Sequence, residues 1–177
     1  MNFFPNFKIT LLNGFIMIIP LLIIRLWYPK KYKGALDKLE YFPDTRGLER
    51  LGLTVYFITN TFIIFSPLVM AINKHSIWIG LPIYLIGLII FFSSIITFSK
   101  HEGFVRHGIY HYSRNPMYVG YFLIFLGMAI SINSIAIIII VLIYQLAVHL
   151  LILSEERWCI DHFLEYREYM NRVRRYL

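Results

Sequence analysis

Long apolar runs separated by short polar segments dominate the pattern of the chain. Five runs stand out, at residues 9–24, 51–72, 77–98, 117–132 and 135–153. Most approach the ~20 residues that an α-helix needs to cross the hydrocarbon core of a bilayer, and the fourth is short. Only Asn133 and Ser134 separate the last two runs, which predicts a tight helical hairpin. The pattern therefore predicts an all-α, polytopic membrane protein of about five transmembrane helices, a single membrane domain over residues 1–177.

Composition supports a membrane protein. Apolar residues make up 58% of the chain and charged residues 15%, against roughly 45–50% and 25% in soluble domains. In a soluble protein, the net charge of +7 would suggest a nucleic-acid partner. Here the basic residues are confined to the gaps between apolar runs. Cys159 is the single cysteine, which excludes an internal disulfide and a CxxC metal motif. We expect the lipid bilayer as partner, with neither nucleic acid nor a metal.

The basic residues are distributed unevenly across the five runs. Of the 17 Lys and Arg residues, Lys8 and Lys74 lie at one end of the predicted bundle, and the others lie at 25–50, 100–114 and 157–175. Because basic residues concentrate on the cytosolic side of membrane proteins, the pattern predicts an N terminus outside and a C terminus in the cytosol. All ten acidic residues share the basic side, so attraction to lipid headgroups alone does not explain these segments.

Two polar segments on this side contain the candidate chemistry. The first, residues 105–120, leads into the fourth run. Pro116 and Asn115 suit a helix start. The segment also contains more hydrogen-bond donors, from His, Arg and Tyr side chains, than a helix cap requires. The second, residues 154–177, fits an interfacial amphipathic helix. Its adjacent Glu155 and Glu156 repel each other and tolerate desolvation poorly, so we expect them to meet cations or hydroxyl donors, with Arg114 a candidate partner.

Polar residues also occur inside the fifth run. Gln145 and His149 are four residues apart, and Glu156 follows seven residues later, so all three can share one helical face. Inside a membrane such residues indicate a functional site, although bonds to a neighbouring helix are the alternative. We expect Gln145 and His149 to face the bundle interior and contact a substrate.

The motifs occur in a fixed order: Gly108-Ile109-Tyr110, then Arg114-Asn115-Pro116-Met117-Tyr118-Val119-Gly120, a hydrophobic hairpin, Glu155-Glu156, and a tail with Phe, Tyr, Tyr and Arg-Val. This order resembles the isoprenylcysteine carboxyl methyltransferase family and its bacterial and archaeal relatives, including phospholipid methyltransferase-like proteins, over roughly residues 105–173. Two departures occur. Asn115 replaces the family's histidine, and Phe163-Leu164 replaces its Phe-Gly.

The resemblance implies an integral membrane methyltransferase that binds S-adenosylmethionine in a cytosol-facing pocket formed by residues 100–120 and 154–177. Arg114 and Glu156 would be catalytic. The residues implied to bind the cofactor are Val105, His107, Gly108, Tyr110, Arg114, Asn115, Pro116, Tyr118, Gly120, Glu155 and Glu156. With Asn115 in place of histidine, that position cannot titrate as an imidazole.

Several alternatives stay open at this stage. Sterol and steroid reductases share a similar polar loop and tail but use NADPH, and a non-catalytic membrane scaffold would need the polar clusters for packing alone. The methyl acceptor is also open, because the first three runs contain no polar pattern. An isoprenylcysteine-type carboxylate, a phospholipid amine and a thiol all fit a lipophilic acceptor.

Overall fold

The described part of the chain is entirely helical. The computed structural model describes residues 1–8, 13–101 and 103–176. Within these residues the chain forms no strand, and the all-α prediction is confirmed. The helices are α1 Ile18–Trp27, α2 Ala35–Glu40, α3 Leu48–Phe65, α4 Ile77–Lys100, α5 Pro116–Ile132, α6 Ile135–His162 and α7 Tyr166–Arg172.

Helix length identifies three candidate membrane spans among the described residues. These are Leu48–Val69, which is α3 with a 3₁₀ extension, α4 and α6. Helix α5 has 17 residues and is about 25 Å long, shorter than a full crossing. Helix α1 has 10 residues after a 3₁₀ turn at Gly14–Met17, and residues 9–12 of the predicted first span lie outside the described residues. An integral membrane protein is therefore supported, with three candidate spans among the described residues where five were predicted.

Glycines let α4 and α5 pack backbone to backbone. A Cβ atom on Gly127 would lie 2.5 Å from the Tyr84 nitrogen, and one on Gly120 would lie 2.8 Å from the Phe91 nitrogen. Helix α5 packs chiefly on α4, whereas α6 packs chiefly on α3. Two residues connect α5 to α6, and one of them, Asn133, has a φ of 65°. This short connection therefore joins two helices that each pack mainly on a different helix, α5 on α4 and α6 on α3.

The segments predicted to share the outer side lie together at one end of the bundle. The Asn2 nitrogen donates to the Asn133 carbonyl (3.2 Å), the Lys8 nitrogen to the Val69 carbonyl (3.1 Å) and the Ala71 nitrogen to the Asn6 carbonyl (3.0 Å). The segments rich in basic residues contact one another elsewhere, for example through Lys38 and the His101 carbonyl at 2.9 Å. The chain thus gathers its loops into the two groups that the charge pattern predicted.

Helix α6 continues well past the predicted end of the fifth span at residue 153. Its 28 residues extend about 42 Å, which exceeds the ~30 Å hydrocarbon core. The last turns, which include Glu155 and Glu156, therefore belong to a rigid helix rather than to a separate tail. The predicted C-terminal amphipathic helix is the seven-residue α7, whose Tyr166 and Tyr169 pack against Phe104.

Candidate functional site

A cavity of about 530 Å³ lies where the loop before α5, the end of α6 and α7 meet. The two polar segments singled out from the sequence therefore face the same space. Seven of the residues implied by the resemblance line it, namely Val105, Tyr110, Arg114, Asn115, Tyr118, Glu155 and Glu156.

Glu156 is the centre of a buried ionic cluster. Arg114 Nε and Nη2 lie 3.1 and 3.0 Å from Glu156 Oε1, and Arg175 Nη2 lies 2.8 Å from Oε2. Asn115 Nδ2 adds a donor at 3.3 Å from Oε1. Hydrogen bonding to Glu156 raises the pKa of Arg175. The pairing of a glutamate with Arg114 is confirmed, and the carboxylate of Glu156 has its charge balanced by this chain's own residues.

The same cluster fixes the C-terminal tail against the loop before α5. The Arg114 backbone nitrogen donates to the Arg174 carbonyl at 2.9 Å. Arg114 Nη1 donates to the Met170 carbonyl at 3.0 Å, and Asn115 Nδ2 to the Arg175 carbonyl at 3.3 Å. Nε, Nη1 and Nη2 of Arg114 all have partners in the chain, so this guanidinium ties the tail and Glu156 to the loop before α5.

Glu155 has a different environment from its neighbour. Its carboxylate accepts a hydrogen bond from the Tyr118 hydroxyl at 2.5 Å. Among the described residues, no Lys, Arg or His forms a salt bridge with it. Glu155 therefore presents a carboxylate without a paired cation to the cavity, which is the feature best suited to bind a cationic ligand group.

Aromatic rings form much of the remaining wall. Phe98 stacks on Tyr110 with ring centroids 6.4 Å apart, and the Tyr169 hydroxyl donates to the Tyr110 carbonyl at 2.5 Å. Burial raises the pKa of Tyr110 well above its ordinary value and raises the pKa of Tyr169 to about 12. Both hydroxyls therefore stay protonated near neutral pH. The wall offers flat apolar surfaces of the kind that bind a planar ring.

A segment that the sequence did not indicate closes another side of the cavity. We call residues 35–46, between Gly34 (φ 73°) and Gly47 (φ 52°), the α2 strap. It is held by Arg157, which donates to the Asp44 carbonyl (2.9 Å) and pairs with Glu49. The strap contributes five lining residues, Asp37, Lys38, Leu39, Tyr41 and Pro43. Its sequence has neither a motif nor long apolar periodicity, so no signal marked it in advance.

A comparison with known families decides the identity. Residues 75–165 match the model of a family described as phospholipid methyltransferase. The matched segment covers α4, α5 and α6, slightly more than half of the 177 residues. The chain belongs to the phospholipid methyltransferase family. Searches among curated proteins and among solved structures return no significant match. Membership confirms the resemblance seen in the motifs, and the α2 strap lies outside the matched segment.

Other residues implied by the resemblance lie outside the lining of the cavity. His107 is exposed beside His101, with ring centroids 5.6 Å apart. Gly108 has a φ of 59° and approaches Thr97. Pro116 begins α5, and Gly120 packs against Phe91 of α4. These positions shape the loop and the helix contact on which the cavity depends.

The predicted substrate residues also lie outside the lining. His149 Nδ1 lies 2.8 Å from the Tyr176 hydroxyl in the C-terminal tail. The Gln145 Oε1 atom is buried without a hydrogen-bond partner among the described residues. The face that carries His149 and Glu156 is therefore covered by the methyltransferase's own tail at Arg175 and Tyr176 instead of facing an open bundle interior.

The side chains that line the cavity fit S-adenosylmethionine. The volume of the cavity lies within the roughly 300–1,000 Å³ of small-molecule pockets. Glu155 suits the cationic amine or the ribose hydroxyls, and the rings of Tyr110 and Phe98 suit an adenine. Among the residues that the structure describes, no group of three or more His, Cys, Asp or Glu side chains is placed to hold a metal ion.

Proposed function

We propose that this member of the phospholipid methyltransferase family transfers a methyl group from S-adenosylmethionine to a lipophilic acceptor. The reaction would take place at the cytosolic face, with the C terminus in the cytosol and the N terminus outside. The observation that carries the proposal is Glu155, a carboxylate without a paired cation in an aromatic cavity lined mostly by residues of the family-matched segment. The cavity lies among the segments richest in basic residues, which are expected inside.

The residues around the cavity have separable roles in this proposal. When bound, S-adenosylmethionine supplies a methyl group on a positively charged sulfur. Glu155, oriented by Tyr118, binds and orients a cationic or hydroxyl group of the cofactor. Arg114 and Glu156 act as positioning residues because they hold the tail that follows α7, whose Tyr166 and Tyr169 line the cavity. Methyl transfer is an in-line displacement, so aligned binding of donor and acceptor supplies most of the rate.

The acceptor is a nucleophile attached to an apolar group. The name of the family favours a phospholipid amine, while an isoprenylcysteine-type carboxylate and a thiol fit the same apolar environment. Leu39, Tyr41 and Pro43 line the cavity on the strap, close to the end of α6. An apolar acceptor would enter there sideways from the lipid, between the helices.

Cys159 offers a direct test of the cofactor. It is the single cysteine of the chain and lines the cavity, so a thiol-alkylating reagent reports occupancy of this site alone. We expect S-adenosylhomocysteine to slow alkylation of the detergent-purified protein, and NADPH to leave the rate unchanged. Protection by NADPH alone would show a reductase-type site and refute the proposal.

The role of Glu155 is tested by calorimetry with S-adenosylhomocysteine. The Glu155→Gln variant keeps the shape of the side chain and removes its charge, so affinity should fall about 10- to 100-fold, as for loss of a charge-assisted hydrogen bond. Glu168→Gln is the matched control, because Glu168 lies on the exposed surface of α7 and pairs with Arg172. Equal affinity in the two variants would remove Glu155 from the cofactor site.

A further inference from the structure

A group of exposed phenylalanines lies at the end of the bundle away from the cavity. Phe3, Phe4 and Phe7 are 55%, 67% and 68% exposed. They belong to residues 1–8, which form no helix and lie outside the three candidate spans. We call residues 1–8 the Phe cap. Its sequence contains no Asp or Glu, and Lys8 is its single basic side chain. The function proposed above does not use this segment.

The Phe cap satisfies backbone groups at the start of α6. The Ile135 nitrogen donates to the Asn2 carbonyl at 2.9 Å, and the Ala136 nitrogen donates to the Phe3 carbonyl at 3.0 Å. The Ser134 hydroxyl and carbonyl accept hydrogen bonds from the two nitrogens that follow. The first four N–H groups of an α-helix have no partner within the helix, and within lipid there is no water to bind them. All four at the start of α6 have partners in the protein, as an embedded helix end requires.

The cap also adjoins surfaces that a membrane span turns toward lipid. The Lys8 nitrogen donates to the Val69 carbonyl at 3.1 Å, at the end of the candidate span Leu48–Val69. Leu68 and Val69 are exposed there, as is Ile135 at the start of α6. The rings of the cap therefore extend the exposed apolar surface of two candidate spans.

The exposed rings favour lipid over water. Three phenylalanines within five residues form an apolar surface of the kind that contacts a membrane or another protein. A protein partner could cover the same rings, but the adjoining Leu68 and Val69 belong to a candidate span. Lipid is therefore the partner that reaches the whole surface.

We propose that the Phe cap is embedded in the membrane, with Phe3, Phe4 and Phe7 in contact with lipid acyl chains. The cap lies at the boundary of the hydrocarbon core on the side away from the cavity. Along α6, Glu155 is about 30 Å from Ile135 at 1.5 Å per residue, which matches the ~30 Å thickness of the core. A cap held at one boundary thus places the cavity at the other, where lipid headgroups lie. This inference does not depend on the proposed methyl transfer.

Spin labelling of the protein in liposomes tests the depth of the cap. Phe4→Cys or Phe7→Cys, each in a Cys159→Ser background, carries one nitroxide per chain. The control is Lys74→Cys in the same background, because Lys74 is exposed in the loop between α3 and α4 at the same end of the bundle. We expect the cap labels to collide more often with oxygen, which dissolves in lipid, and several-fold less often with a water-soluble nickel chelate than the control label.

Two results would overturn the proposal. Equal accessibility of the cap and control labels to the nickel chelate would mean that the cap lies in water. Cap labels shielded from both oxygen and the chelate would mean that protein, rather than lipid, covers the rings.

Photo-crosslinking checks the same contact in the unsubstituted protein, and so decides the case in which a cysteine variant does not insert. The liposomes contain phosphatidylcholine with a diazirine on one acyl chain. Trypsin cleaves after Lys8, so mass spectrometry separates the cap from the spans. We expect lipid adducts on the peptide that ends at Lys8. Adducts on the peptide that contains α4, with none on the cap, would show that the proposal is wrong.

Discussion

Replacing Glu156 by glutamine should destabilise the protein far more than the same change at Glu155. Glu156 pairs with Arg114, and the two side chains are 5% and 8% exposed. Removing one partner of a buried pair typically costs about 3–5 kcal/mol, because the remaining charge is left unpaired. The contribution of Arg175 is smaller, since its side chain is 30% exposed and screened by water. Glu155→Gln strands no cation, so we expect a loss below about 1.5 kcal/mol.

The two variants separate positioning from direct contact. Thermal unfolding in detergent, followed beside calorimetry with S-adenosylhomocysteine, should show Glu156→Gln lowering the unfolding temperature by several degrees. Glu155→Gln should unfold at the wild-type temperature and bind S-adenosylhomocysteine more weakly. If Glu156→Gln instead unfolded like the wild type and lost affinity, Glu156 would contact the cofactor directly, and the assignment of the Arg114–Glu156 pair to the tail would be wrong.

Three further changes test other parts of the structure. Gly127→Ala forces α4 and α5 apart, because its Cβ would lie 2.5 Å from the Tyr84 nitrogen, and it should lower the unfolding temperature, whereas an unaltered temperature would contradict the contact. Arg157→Gln removes the hydrogen bond from Arg157 to the Asp44 carbonyl of the α2 strap and the ion pair with Glu49 of α3, so Cys159 alkylation should speed up several-fold, and an unchanged rate would mean that the strap does not shield the cavity. His149→Leu should leave S-adenosylhomocysteine affinity unchanged, since His149 contacts the tail and not the cavity.

The long helices and the loop motifs were predictable because their signals are local. Continuous apolar sequence is enough to predict α3, α4 and α6. Charge on either side of these runs is enough to predict which loops gather at each end. The two segments that line the cavity were singled out by their polar side chains and by the order of their motifs, and both signals can be read directly from the sequence.

The α1 region and the α2 strap were missed or misplaced because their structure depends on long-range contacts. Within the described residues, α1 begins at Ile18 after a 3₁₀ turn at Gly14–Met17, and the preceding Asn13 donates to the Leu68 carbonyl at 2.9 Å. The strap is fixed by Arg157 from α6 and by Arg25 from α1. No pattern within residues 35–46 predicts those partners, so the strap's place at the cavity follows only from the folded chain.

The glutamate pair shows what a motif leaves undecided. Adjacent residues on an α-helix point about 100° apart, so Glu155 and Glu156 cannot face the same partners. Helix α6 is a single rigid element through both residues, and its packing on α3 and α5 sets its rotation. That rotation points Glu156, together with His149, toward Arg175 and Tyr176 of the tail. It points Glu155 toward Tyr118 and the cavity. The sequence located the pair, and the rotation of α6 decides that Glu156 pairs with the chain's own arginines while Glu155, which has no such partner among the described residues, is the one we propose for a ligand.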